Sequence, residues 1–275
     1  MARLTRAALV QLLALVIAPV AATASRADDD RLVVARAGQI HVNGRPLTRG
    51  FEPAWSPDRR WIAFQRGGQI FVFDATGRNE RRLTIRRPGL HWPASRPAWS
   101  PDGRLIAFSG TRDLYTVTVG DGRLTRLTQS SDSWRSNVTP AYSPDGRTIA
   151  FARSTDAFNT DIFLLRPRGG GLRRLTTSVG THDAQGEESM PDWSPDGRTI
   201  VFVSNRDGNF ELYRIDIDGR NERRLTRTPR FDEASPRFSF DGRRLLFVRN
   251  GRLIVARADG RDAHDLGAGA AADWR

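Results

Sequence analysis

A six-residue motif recurs along the chain and constrains its fold more than any other feature. The copies read Pro-Ala-Trp-Ser-Pro-Asp twice, then Pro-Ala-Tyr-Ser-Pro-Asp, Pro-Asp-Trp-Ser-Pro-Asp and Pro-Arg-Phe-Ser-Phe-Asp. They begin at residues 53, 97, 140, 191 and 236, so neighbouring copies are 43 to 51 residues apart. Internal periods of this length are typical of β-propellers, in which each repeat forms one four-stranded blade.

The remainder of each repeat predicts strands. An apolar run such as Ile-Ala-Phe follows the motif, an alternating strand comes next, and a Leu-Thr pair closes the unit. Residues 77–84 and 219–226 are identical over eight positions, which favours an origin by internal duplication. In a Ser-Pro-Asp-Gly turn, proline presets φ and glycine accepts the left-handed conformation. Arg59 replaces that glycine in the first copy, so we expect a strained turn there.

The two ends of the sequence complement each other. Residues 272–275 resemble the beginning of a repeat, whereas residues 30–35, 39–42 and 47–48 resemble its later strands and closing pair. The sequence therefore predicts an all-β, six-bladed β-propeller that is closed by strands from both termini. Such closure would pair strand edges that are otherwise open to aggregation.

Two sets of repeat residues are predicted to be structural. An aromatic residue precedes each turn, and its periodic placement predicts packing between blades rather than ligand stacking. This set comprises Trp55, Trp99, Tyr142, Trp193, Phe238 and Trp274. The second set is the turn aspartates, which are Asp58, Asp102, Asp145, Asp196 and Asp241.

Residues 1–27 are predicted to be a secretory signal peptide, and residues 28–275 the propeller domain. Arg3 and Arg6 provide a positive start, residues 7–18 are apolar, and small residues follow. An uncleaved membrane anchor is the alternative, but the apolar run falls short of the roughly 20 residues needed to span a bilayer. We therefore expect an exported protein, periplasmic or extracellular, with no transmembrane span after cleavage.

The charge and the cysteine count narrow the possible functions. The formal net charge is +12, and all 43 basic residues are arginine. They are spread over turns beside acidic residues and do not gather into one basic run. This pattern predicts a solvated surface and no nucleic-acid partner. The sequence has no cysteine, which excludes thiolate metal sites and cysteine nucleophiles.

The Trp-Ser-Pro-Asp-Gly-Arg core, with the following Ile-Ala-Phe and Leu-Thr, resembles the WD40-like (PD40) repeat of the TolB-like β-propeller family. The resemblance covers residues 31–275. It implies a scaffold similar to the TolB propeller, which binds a peptidoglycan-associated lipoprotein in the cell envelope. An envelope protein or lipoprotein is thus the expected partner, and we expect a monomer. Because the predicted propeller begins just after the predicted cleavage site, we expect the α/β domain that precedes the TolB propeller to be missing.

The irregular sequence is predicted to gather on the face opposite the Ser-Pro-Asp-Gly turns. Variable loops on a rigid scaffold are where function usually lies. We also expect the residues just before each repeat proline to line the mouth of a central channel, among them Glu52, Arg96, Glu188 and Glu233. Solvated loop residues are the alternative interpretation. The candidate partner- or ligand-binding residues are Trp92, Trp134, His182, Glu188, Glu233 and Arg96.

No catalytic residue, metal or cofactor is predicted. The sequence contains no nucleophile-elbow, zinc-protease or phosphate-loop motif. His182 and Asp183 with Glu187 and Glu188 could bind a metal, although a polar loop is favoured. The alternative function is a propeller lyase or hydrolase acting on a polysaccharide or peptide at the central channel. Its only candidate group is His182, Arg96 and Glu188.

Overall fold

The computed structural model describes residues 32–84, 94–130, 136–156, 159–177 and 186–274. Within these ranges the regular structure is entirely β, as the sequence predicts. No helix in this part of the chain is long and apolar enough to cross a membrane.

The described residues form 24 strands, numbered here in chain order. The first twelve are β1 (Leu32–Arg36), β2 (Gln39–Val42), β3 (Arg45–Arg49), β4 (Phe51–Trp55), β5 (Trp61–Arg66), β6 (Gln69–Asp74), β7 (Arg81–Arg82), β8 (Ser95–Trp99), β9 (Leu105–Ser109), β10 (Leu114–Thr118), β11 (Leu124–Arg126) and β12 (Asn137–Tyr142). The others are β13 (Ile149–Ser154), β14 (Asn159–Leu165), β15 (Arg173–Arg174), β16 (Gly186–Trp193), β17 (Thr199–Ser204), β18 (Glu211–Asp216), β19 (Arg223–Arg224), β20 (Glu233–Phe238), β21 (Arg244–Arg249), β22 (Arg252–Arg257), β23 (His264–Ala268) and β24 (Ala271–Trp274).

Each sequence repeat folds into one antiparallel four-stranded unit. The units are β4–β7, β8–β11, β12–β15, β16–β19 and β20–β23. The third and fourth units are joined by a short parallel pairing of β14 with β16, so their strands belong to one continuous sheet. The first strands of successive units contact each other. Apolar side chains of neighbouring units fill the space between them, and these side chains form the core clusters.

Both ends of the described chain share a further four-stranded sheet. Its strand order is β24-β1-β2-β3, and β24 pairs antiparallel with β1. In this pairing Trp274 lies opposite Leu32. The side chain of Asp273 reaches the next unit, where its Oδ2 accepts a 2.8 Å hydrogen bond from the backbone N–H of Trp55. Strands from both ends of the chain therefore build one sheet.

The Ser-Pro-Asp-Gly turns share one set of hydrogen bonds. In the second copy the Ser100 hydroxyl donates to Asp102 Oδ1 at 2.6 Å, and that oxygen accepts the N–H of Arg104. The serine oxygen in turn accepts the N–H that opens the next strand. The bond from serine is the largest cause of a lowered pKa at four of the five turn aspartates, which are Asp102, Asp145, Asp196 and Asp241. The aspartates thus fix the turns.

Arg59 occupies the turn position that glycine takes in the other copies. Its φ is 61°, close to the 69° of Gly103. A left-handed conformation costs a residue with a side chain roughly 1–2 kcal/mol. The expected strain in this turn is therefore confirmed. The guanidinium carbon of Arg59 also lies 5.3 Å from the centre of the Phe240 ring, so this side chain reaches a second turn.

The repeat tryptophans are buried between units. Trp55, Trp99, Trp193 and Trp274 are each less than a tenth exposed. Two of them donate from Nε1 to a backbone carbonyl of the preceding unit: Trp99 to Ala54 at 3.0 Å and Trp193 to Ala141 at 3.1 Å. Tyr142 and Phe238, at the equivalent positions, are partly buried. This placement favours packing between units over ligand stacking.

Candidate functional site

A β-bulge in the first strand of five units determines where the residue before the repeat proline lies. In each of β4, β8, β12, β16 and β20 the pairing register shifts around that residue. Its φ is between 52° and 56° in all five units. Bulges redirect side chains, and strained backbone of this kind clusters at functional sites. We call these the bulge residues: Glu52, Arg96, Thr139, Met190 and Ser235.

The bulge residues contact one another in a continuous chain. Arg96 Nε lies 2.9 Å from Glu52 Oε1, and its Nη1 donates to Ser235 Oγ at 3.1 Å. The N–H of Ser235 donates to Met190 Sδ at 3.2 Å, and the N–H of Met190 donates to Thr139 Oγ1 at 3.2 Å. Burial lowers the pKa of Arg96, an effect that the Glu52 carboxylate opposes. The guanidinium nevertheless stays charged, as arginine does in proteins.

A hollow of about 330 Å³ opens beside this chain of contacts. We call it the loop-face hollow, where the loop face is the end of the units that carries the bulge residues. It is lined by Glu52, Arg96 and Ser235 together with Phe51, Gln65, Ser95 and three alanines. Its volume is at the lower end of the range of small-ligand pockets. The sequence-based expectation that Glu52 and Arg96 border an opening on this face therefore agrees with their positions.

The expected positions of Glu188 and Glu233 need correction. The structure does not place them at the mouth of the hollow, because both are buried, with 0% and 1% of their surface exposed. Glu188 pairs with Arg206, and Glu233 pairs with Arg249 at 2.7 Å. Both lie three residues before the repeat proline, on the paired part of the strand, and neither lines the hollow.

Burial raises the pKa of Glu188 to about 7, against the opposing effects of Thr176 and Arg206. The folded protein therefore holds a proton that the unfolded chain releases from about pH 4.5 upward. Stability from this group is lost as the pH rises from that value through about 7. We expect Glu188→Gln to remove this loss. The difference in free energy of unfolding between Glu188→Gln and wild type should therefore shift in favour of the variant from pH 5 to pH 8, by on the order of 1 kcal/mol or more.

Urea denaturation across this pH range measures the effect. Glu80→Gln is the control, because hydrogen bonding to Arg66 and Thr48 lowers the pKa of Glu80 despite the opposing effect of burial. Any change in slope from Glu80→Gln should therefore fall below about pH 4.5. An unaltered slope between pH 5 and pH 8 in Glu188→Gln would show that Glu188 is already ionised in the folded protein.

Three of the candidate residues, Trp92, Trp134 and His182, lie outside the described residues. Their predicted roles in binding stay predictions. The candidate enzymatic group of His182, Arg96 and Glu188 is not assembled by the described residues, because Glu188 is buried against Arg206 and does not line the hollow that contains Arg96. Within the described ranges, no group of three or more histidine and acidic residues is placed to hold a metal ion.

Many arginines at the outer strands form structural contacts. One set pairs with an acidic residue of the same unit: Arg126 with Asp113, Arg174 with Asp161, and Arg224 with Glu211. A second set donates to backbone carbonyls of the next unit: Arg81 to Val119 and Arg173 to Ile217. These contacts give the repeated Arg-Arg-Leu-Thr segment a structural explanation. A surface for phosphates is not needed to explain these arginines.

A second hollow of about 280 Å³ lies on the face of the Ser-Pro-Asp-Gly turns. We call it the turn-face hollow. Its rim contains the turn prolines and Phe240, and its walls include Arg237, Asp192 and Asp273. Most of the lining repeats from unit to unit, as the turns do. Two buried polar atoms in its wall, Tyr142 Oη and Trp274 Nε1, have no hydrogen-bond partner among the described residues.

Sequence reasoning named only Glu52 and Arg96 among the residues of the loop-face hollow and its chain of contacts. Thr139, Met190 and Ser235 occupy the same repeat position as Glu52 and Arg96, so an alignment of the five repeats on their prolines could have found them. Phe51, half exposed beside Glu52, carries no signal in the sequence that distinguishes it from an ordinary surface residue.

Successive four-stranded units with contacting first strands define an all-β protein of the propeller class. A family model described as the TolB beta propeller domain matches residues 130–270, which is about half of the chain. The chain belongs to this TolB β-propeller family.

Two sequence relatives match parts of the chain. It is 32% identical over 117 residues to "Uncharacterized protein Atu1656" of Agrobacterium fabrum, a match that covers 41% of this chain and 37% of that protein. It is 39% identical over 70 residues to "Tol-Pal system protein TolB 1" of Novosphingobium aromaticivorans, covering 25% of this chain and 14% of that protein. The matched segments thus span well under half of either relative.

Solved structures of low sequence identity share the fold. TolB from Acinetobacter baumannii superimposes with a TM-score of 0.69 at 22% identity, covering 89% of this chain and 65% of that one. An oligogalacturonate lyase in complex with manganese superimposes with a TM-score of 0.61 at 18% identity, covering 84% and 70%. The fold therefore occurs in an enzyme as well as in TolB, and it does not distinguish between the two functions.

Proposed function

We propose that this chain is an exported β-propeller scaffold that binds a protein partner at its loop face and performs no catalysis. The loop face is the end of the units that carries the bulge residues. Family membership supports a propeller scaffold. The leader-like residues 1–27 support export to the periplasm or the cell exterior. A relative named for the Tol-Pal system supports an envelope protein or lipoprotein as the partner.

The scaffold in this proposal is a closed ring of six blades around a central channel. The sheet of β24 and β1–β3 is its sixth blade. Support comes from the order of contacts between first strands, in which β20 contacts β24 and β24 contacts β4. The hydrogen bond from the Trp55 N–H to Asp273 joins the same two units. A closed ring has no open edge for unwanted pairing, and it fixes the loops relative to one another.

The difference between the two faces is the observation that carries the proposed binding site. On the turn face the same serine, aspartate and proline or aromatic residues recur, and their side chains are used within the turns. On the loop face the bulge residues share one backbone conformation but include an acid, a base, a thioether and two hydroxyls. Repeated residues maintain the scaffold, whereas residues that differ at equivalent positions are free to recognise a partner.

The proposal excludes catalysis on the grounds of chemistry. The polar groups of the loop-face hollow are one arginine, one glutamate, one glutamine and two serine hydroxyls, and the glutamate is already paired with the arginine. A general base needs a carboxylate or imidazole that is available to take a proton from the substrate. Binding is therefore the function that these residues support best.

The test begins with a pull-down from envelope extract with the mature protein. We expect Trp92→Ala and Trp134→Ala each to weaken capture of the recovered partner by roughly 2 kcal/mol, because aromatic residues dominate binding hot spots. Thermal melting should be nearly unchanged, because both residues are predicted to lie in surface loops.

Matched controls lie on the turn face: Arg104→Ala, Arg147→Ala and Arg198→Ala should change neither affinity nor melting. Loss of capture in these arginine variants, with capture retained in the tryptophan variants, would place the binding site on the turn face instead.

A further inference from the structure

The five bulge residues share one backbone conformation but differ in the chemistry of their side chains. All five have a left-handed φ between 52° and 56°, a conformation that only glycine adopts without strain. None of the five is glycine, so each unit keeps a side chain at this position at an energetic cost. The turn residues show that a repeated structural role preserves the residue type. The bulges, by contrast, keep one backbone conformation while their residue type varies.

Arg96 is the central residue of this group. Its backbone N–H and its Nε both approach the carboxylate of Glu52, at 2.7 Å and 2.9 Å. Its Nη1 reaches Ser235, which lies 139 residues further along the chain. Glu52 therefore holds the guanidinium from one side while Ser235 fixes its far end. A guanidinium held in this way loses little further conformational freedom when it binds a ligand.

Arg96 has guanidinium donors that neither Glu52 nor Ser235 engages. Arg96 lines the hollow, and a quarter of its side chain is exposed. Glu52 and Ser235 engage Nε and Nη1, and none of the described residues accepts a hydrogen bond from Nη2. A planar guanidinium with open N–H groups is the group that recognises carboxylates most specifically.

Beside Gln65 and Ser95, the hollow has one apolar side. Phe51 is half exposed beside the arginine, and Ala35, Ala270 and Ala271 complete this side. The hollow of about 330 Å³ has room for one or two amino-acid residues, not for a folded segment. A ligand that combines a hydrogen-bond acceptor of negative charge with a small apolar group would complement this lining.

We propose that the loop-face hollow binds a carboxylate of a peptide, with Arg96 receiving the carboxylate and Phe51 contacting an adjacent apolar side chain. This inference rests on the proposed function, since it specifies what the partner presents to the loop face. The carboxylate comes either from the C-terminus of the partner or from an acidic side chain. Both sources present the same carboxylate group, and the peptides described next distinguish between the two.

Three synthetic peptides test the inference on the mature protein by isothermal titration calorimetry. They are acetyl-Ala-Phe with a free C-terminal carboxylate, acetyl-Ala-Phe amide, and acetyl-Glu-Phe amide. We expect at least one carboxylate peptide to bind roughly tenfold or more tightly than the neutral amide, as a charge-assisted hydrogen bond implies. The stronger of the two carboxylate peptides identifies the source.

Arg96→Gln should remove this preference, whereas Arg104→Gln, on the turn face, should keep it. Phe51→Ala is the second variant, because an exposed side chain can be removed without endangering folding, and it should weaken binding of the carboxylate peptides severalfold. Equal binding of all three peptides, absence of binding at millimolar concentration, or an unchanged preference in Arg96→Gln would overturn the inference. Partner capture could instead depend on Trp92 and Trp134 but not on Arg96. That result would support the proposed function and overturn the inference about the carboxylate.

Discussion

Trp274→Ala should lower the free energy of unfolding by about 3–5 kcal/mol, the usual cost of removing a buried aromatic side chain. Trp274 is 7% exposed and packs with Val34, Leu246 and Leu253, so it joins the first and the last described strands to the fifth repeat. Deletion of residues 271–275 should cost at least as much, because it also removes the partner strand of β1 and the Asp273 carboxylate that accepts the Trp55 N–H.

Urea denaturation of both variants measures this effect. Phe240→Ala is the matched control, because Phe240 is also a large aromatic residue but is 73% exposed. Its effect should be about 1 kcal/mol or less. If the deletion leaves the free energy of unfolding unchanged, the strand β24 does not complete the proposed sixth blade.

Arg249→Ala should lower the free energy of unfolding by about 3–5 kcal/mol, because it leaves a buried carboxylate without its charge partner. Glu233 Oε1 accepts hydrogen bonds from Arg249 at 2.9 and 2.7 Å, and the glutamate is 1% exposed. Burial already raises the pKa of Glu233, and the bond from Arg249 opposes that shift. Without the arginine, the carboxyl group must take up a proton or stay charged at a high energetic cost.

The matched control is Arg243→Ala, because the side chain of Arg243 is 86% exposed beside Asp241. This variant should change the free energy of unfolding by no more than about 0.5 kcal/mol. Equilibrium unfolding of both variants at pH 7 makes the comparison. Equal, small effects in the two variants would contradict a structural role for the pair of Glu233 and Arg249. Glu233 would then become a candidate for ligand binding again.

The sequence predicted the strands and the turns well because local chemistry determines them. The serine and the aspartate recur in all five copies of the turn, and in each copy the serine hydroxyl donates to the aspartate carboxylate. The spacing of the copies defined the units, and the partial repeat at 272–275 anticipated the pairing of β24 with β1. Even the strain at Arg59 followed from one missing glycine.

The candidate site was predicted less well, because it depends on a β-bulge that the sequence pattern does not predict. A residue before proline is ordinarily extended, so nothing indicated the left-handed conformation of Arg96 or Ser235. Glu188 and Glu233 were placed at the mouth of the channel because they come shortly before a repeat proline in an irregular segment. Their partners, Arg206 and Arg249, belong to the second strand of the same unit or the loop that follows it, and only the folded sheet brings them close.

Photo-crosslinking from the two faces tests the central claim, that the partner binds the loop face, most directly. Phe51 and Phe240 are both exposed phenylalanines, and they line the loop-face and turn-face hollows respectively. Replacing each in turn with a photoreactive phenylalanine derivative changes the surface little. On irradiation in the cell envelope, the protein labelled at position 51 should crosslink to the partner recovered by the pull-down, and the protein labelled at position 240 should not. Crosslinking from position 240 alone would contradict the proposed binding face.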